Sequence, residues 1–154
     1  MKKHIWPIAV CTAIWNLITS LFGVRAPGIY GYGKSVLLRG DILGNVIVGG
    51  NPEVTVSARL GYQSYRHHKN KKDDGFWWLC ESIVDSTFEP IDGTGHCYSA
   101  FRWTETVFKI RKGQNLHINH GPDFMLVALL FLVVTSCLII YPVNLLIARF
   151  NSPA

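Results

Sequence analysis

The chain has 154 residues, a net charge of +5, 49 % apolar and 16 % charged residues, and a mean hydropathy of +0.20. That length leaves room for one modest domain. Soluble domains carry about a quarter charged residues, so the composition points to membrane. Lys2, Lys3 and Arg149 apart, every Lys and Arg lies between Arg25 and Lys112. A basic middle with apolar flanks suits anionic lipid headgroups.

Ile5 to Val24 (IWPIAVCTAIWNLITSLFGV) follows a basic start of Lys2, Lys3 and His4. A signal peptide has this layout, and Val24-Arg25-Ala26 resembles a cleavage site. Pro27 after the scissile bond and the bulk of Trp6, Pro7, Trp15 and Asn16 argue instead for an uncleaved membrane anchor over residues 1–24.

Gly28 to Ser35 (GIYGYGKS) matches the phosphate-binding pattern G-x-x-x-x-G-K-[ST], with Gly28, Gly33, Lys34 and Ser35 in the signature positions. A working P-loop needs a strand before it, a helix after it and a βα context. Here an apolar anchor precedes it, no alternation of β and α follows, and no strand ends in a magnesium-binding Asp. The sequence predicts a flexible linker over residues 25–36 and no nucleotide cofactor.

From residue 37 to 123 the spacing predicts an extramembrane domain. Apolar residues at 37, 38, 42, 43, 46 and 47 fit a helix, weakened by Gly40 and Gly44. A Gly49-Gly50-Asn51-Pro52 turn follows. Val54 to Ala58 alternates as a short strand would, or else Thr55 or Ser57 caps a helix. The charged stretch 66–75 reads as an exposed link. Residues 76–88 predict a helix with Phe76, Leu79, Ile83 and Val84 on one face and Trp77, Cys80 and Phe88 adjacent to it, and residues 98–113 fit helix or strand equally.

The last long element, Phe124 to Ile147, has no charge in 24 residues and is long enough to cross about 30 Å of hydrocarbon. Pro142 would kink it near its end. Residues 148–154 form a short tail. The expected fold class is a mainly α membrane protein, with two transmembrane helices flanking a small, mostly helical basic region with Gly-rich turns.

Three chemical constellations invite attention. Cys80 and Cys97 would pair as a disulfide if the middle region faces an oxidising compartment. Cys80, His96 and Cys97, with His67 and His68, contain zinc-ligand residue types, but the spacing lacks the paired C-x₂-C signature and no metal site is expected. Cys97 with His96 as base, oriented by Asp92 or Asp85, is the alternative catalytic pair; it describes a membrane-anchored Cys-dependent hydrolase. No nucleic-acid motif interrupts the basic middle.

The segments DILGNVIVGGNPEVTVSAR, WWLCESIVDSTF and GHCYSA resemble a group of small uncharacterised bacteriophage and prophage proteins. Their pattern is GG[DN]PxxTxSxR, then a Trp-bearing helix with Asp, then His-Cys. The matching positions are Asp41, Asn45, Gly49, Gly50, Pro52, Thr55, Ser57, Arg59, Trp78, Asp85, His96 and Cys97. Asn51 and Val54 depart from it, where acidic residues are common. The resemblance implies a phage-encoded protein acting in or on a bacterial cell, and no assigned activity. The physical reading of the same residues is a turn that ends one element and launches the next, with Arg59 paired to Asp41 or Asp85. The expected role is therefore non-catalytic. It is that of a multi-pass protein of the host inner membrane contacting lipid, an envelope partner or a second copy of itself.

Overall fold

The computed structural model describes residues 5–22, 28–69, 75–113, 118 and 123–151. They form six α-helices: α1 (Ile5–Phe22), α2 (Gly28–Ile47), α3 (Val56–Lys69), α4 (Gly75–Asp92), α5 (His96–Lys112) and α6 (Leu126–Asn151). A 3-10 turn at Asp123–Met125 leads into α6. No strand occurs among the described residues, so the alternation over Val54 to Ala58 belongs to a helix start.

Helix α1 packs along α2, and the Trp6 indole donates to the Val46 carbonyl at 2.9 Å. That contact joins the start of one to the end of the other. The expected linker at 25–36 is helical from Gly28 onward, although each glycine there costs a helix roughly 1 kcal/mol; residues 25–27 lie outside the described residues. Of the GIYGYGKS residues only the backbone is described. It runs as helix, so it does not form the turn a phosphate loop requires.

Helix α2 ends in a Schellman motif. Gly49 adopts φ 77, the Gly49 amide reaches the Val46 carbonyl at 3.0 Å, and the Gly50 amide reaches the Asn45 carbonyl at 2.7 Å. Helix α3 starts immediately beyond, with the Thr55 hydroxyl accepting from the Ala58 amide at 3.1 Å. Basic residues Arg66 to Lys69 close α3, where they complement its dipole.

Helices α3, α4 and α5 pack mutually, α2 meets α3, and α4 lies along α6. One core joins Val48, Leu60, Trp77, Cys80, Val84 and Cys97 to Leu129, Val133 and Cys137. A smaller one joins Val54, Ala58, Phe101 and Ile118. The buried face of α4 is Trp77, Cys80, Val84 and Thr87, with Leu79 exposed. Of the predicted face, Val84 belongs to the core and Phe76 and Ile83 pack against it, so only Leu79 is turned outward. The contiguous run Phe76 to Cys80 offers an apolar side chain in every direction, so periodicity alone fixes no face there.

Helix α6 is the one element among the described residues long and apolar enough to cross a membrane. The apolar stretch of α1, Trp6–Thr19, is shorter than the roughly 20 residues a crossing requires.

Candidate functional site

The residues of the GGNP segment converge at the junction of α2 and α3. Asn45 is fully buried in the last turns of α2, and its side-chain amide donates to the Asn51 carbonyl at 3.0 Å and the Val54 carbonyl at 2.9 Å. Its oxygen accepts from Arg59 Nη1 at 3.2 Å, and the same guanidinium nitrogen reaches the Val48 carbonyl at 3.3 Å. The guanidinium also lies 5.8 Å from the Trp77 ring centre, a cation–π distance. Burial lowers the Arg59 pKa to about 10, so it remains charged at neutral pH. Gly50 is required because a Cβ there would lie 2.1 Å from the Asn45 oxygen.

Asp41, one turn before Asn45, accepts from the Val56 amide at 3.0 Å and also bonds Ser57. Thr55 and Asp41 thus cap α3 jointly, one from its own chain position and one from α2. Enclosure of the Asp41 carboxyl pushes its pKa up to about 6, against the opposing pull of those hydrogen bonds and of His96.

Asp85 does for α5 what Asp41 does for α3: its carboxylate accepts from the Cys97 amide at 2.8 Å. Gly95, at φ 78, precedes this helix and makes no side-chain cap. Arg59 therefore does not take up the predicted pairing with Asp41 or Asp85 in the contacts just given. Both carboxylates turn to backbone amides, and the guanidinium turns to Asn45 and Val48.

Cys97 is completely buried, its sulfur 4.0 Å from the Glu81 carbonyl. Burial and the carboxylates of Asp85, Glu81 and Asp41 push its thiol far above the ordinary range. A nucleophilic thiol needs the opposite surroundings, a nearby cation and solvent access. His96 bonds Asp92 at 2.7 Å and stacks on Phe88 at 4.1 Å between ring centres. It is committed outward, away from the role of a base for Cys97. Cys80 and Cys97 are both free thiols within one core. Among the described residues no three His, Cys, Asp or Glu side chains gather in a way that could hold a metal ion.

Pro52 sits in the turn between Asn51 and Glu53, and Asn51 closes it by accepting from the Glu53 amide at 2.9 Å. Trp78 is 65 % exposed and outside the junction; the indole that meets Arg59 is its neighbour Trp77. Sequence reasoning also missed Gln63. It is buried one turn beyond Arg59, with both ends of its amide unmatched among the described residues. The signal was the four-residue spacing from Arg59, which puts both on one helix face. Thr87 was missed as well; its carbonyl accepts from the Asn144 amide at 2.8 Å.

Compared with family models, curated proteins and solved structures, the chain matches none.

Proposed function

We propose that this is a non-catalytic, membrane-associated protein of phage type that acts on a partner in a bacterial envelope. The observation that carries the reading is the surface of α6. Only 17 % of its most apolar stretch is buried, and Val127, Phe131, Leu138 and Ile139 stand free. The core helix of a water-soluble body would hide such side chains, whereas contiguous apolar surface of this extent calls for lipid or a partner. Helix α1, uncharged over 18 residues and with Ile8 and Trp15 exposed, would be the second membrane-entering element of a multi-pass protein.

The chemistry of the junction supports a non-catalytic role. Asp41, Asn45, Thr55, Arg59 and Asp85 bond backbone groups or one another, and the Cys97 thiol is sealed. The resemblance to phage proteins suggests a host inner membrane, with lysis assistance, exclusion of other phages or virion-membrane structure as the envelope roles. Basic residues of the middle region would meet anionic headgroups there.

Membrane fractionation of bacteria producing the full chain tests the reading. The protein should sediment with membranes and resist alkaline carbonate; release into the supernatant would overturn it. Cys97→Ser should leave any envelope phenotype intact. Loss of the phenotype in a folded Cys97→Ser protein would restore the hydrolase alternative.

A further inference from the structure

The inner stripe of α6 is Leu129, Val133, Cys137 and Asn144, all buried. The first three lie in one core with Trp77, Cys80 and Val84 of α4. Asn144 is hydrogen-bonded to the Thr87 carbonyl at 2.8 Å, and the Cys137 thiol lies within hydrogen-bonding reach of the Thr87 side chain. From Leu129 to Asn144 the helix rises about 22 Å, most of a hydrocarbon core about 30 Å thick. Helix α4 is therefore docked beside the middle of the candidate span.

That docked body is charged. Glu89 of α4 and Arg102, Lys109 and Arg111 of α5 are exposed, Glu81 and Asp85 are half-buried on α4, and α5 packs on α4. A bilayer surrounding α6 along its length would have to take in this body. Charged side chains are costly at the bilayer centre.

We propose that α6 has two alternative positions: docked along α4, as in this structure, and inserted in a bilayer after leaving α4. The inference rests on the reading that α6 enters a membrane. Asn144 and Cys137 hold the docked position through Thr87, and insertion exchanges their contacts for lipid.

The test uses Thr87→Cys in the full chain, which places a second thiol beside Cys137, with Thr87→Cys/Cys137→Ser as control. The protein is made by cell-free synthesis without lipid, and copper-phenanthroline is the oxidant. A bridge between positions 87 and 137 should form before lipid is added. The bridged protein should fail to become carbonate-resistant with vesicles of phosphatidylethanolamine and phosphatidylglycerol, and reductant should restore insertion. Oxidising the reduced variant after insertion should give roughly tenfold less bridge than before lipid.

Insertion of the bridged protein, or equal bridging after insertion, would overturn the proposal. So would absence of the bridge before lipid. Unmodified protein that never becomes carbonate-resistant would instead remove the membrane reading itself, so the two failures are distinguishable.

Discussion

Arg59 and Asn45 meet side chain to side chain inside the core, 3.2 Å apart, with both residues fully buried. The Asn45 amide is the common point of three chain segments, since its nitrogen holds the turn at Asn51 and Val54 while its oxygen holds α3 through Arg59. A buried charge needs hydrogen-bond partners, and Arg59 Nη1 has two, the Asn45 oxygen and the Val48 carbonyl. The turn is thereby tied to the helix that it launches.

Asn45→Ala removes all three of these bonds and strips an acceptor from a buried guanidinium. The expected loss is about 3 kcal/mol of unfolding free energy, measured by urea denaturation in mild detergent. A loss below about 0.5 kcal/mol would mean that the turn and α3 hold together without this amide.

Asp41 gives the protein a defined response to pH. Its folded-state pKa is raised from 3.8 to about 6, so folding favours the protonated form. The stabilisation is complete below about pH 4 and is lost as pH rises through about 6, amounting to at most about 3 kcal/mol. Asp41→Asn keeps an acceptor for the Val56 amide but cannot ionise. The wild type minus variant difference in unfolding free energy should therefore fall between acid and neutral pH; a difference independent of pH would refute the account. Glu81 is raised by burial in the same sense, but it titrates in both proteins and cancels.

Helix α6 was legible because a long uncharged run has few other meanings, and the turn at Gly49-Gly50 because it combines a positive-φ glycine with a cap at Thr55. The start of α5 was not. Its capping group is Asp85, twelve residues earlier on another helix, and no local pattern encodes a cap supplied from a distance. The helix at 28–36 was hidden because Gly28, Gly31 and Gly33 lower local propensity, and propensity is a weak guide to the folded chain. For the candidate site, residue identity was readable and geometry was not. The same Arg59 suits Asp41, Asp85 or Asn45 until the helices are placed, and the spacing of Cys80 and Cys97 says nothing of whether their Cβ atoms converge.

Gln63 is 1 % exposed with neither end of its amide matched among the described residues. Such a group costs about 1–3 kcal/mol in desolvation. Gln63→Met preserves length and replaces the amide by a thioether that adapts to irregular space. The variant should be more stable by about 1–2 kcal/mol, raising the melting temperature by a few degrees. A fall in stability would show that the amide is engaged in the folded protein.

Two helical glycines provide opposite outcomes from the same substitution. Gly61 marks the close approach of α3 to α5: a Cβ there would lie 2.2 Å from the Cys97 carbonyl oxygen, which is backbone and fixed by the cap at Asp85. Gly61→Ala must push the two helices apart, at a cost of about 3 kcal/mol or more. Gly40 lies inside α2 with nothing within 4 Å of a built Cβ, so Gly40→Ala should stabilise by up to about 1 kcal/mol through helix propensity and a less flexible unfolded chain. Parallel thermal melts of the two variants check both signs at once. If Gly61→Ala melted with the wild type, α3 and α5 would not be packed backbone to backbone, and the position of the Cys97 turn against α3 would have to be abandoned.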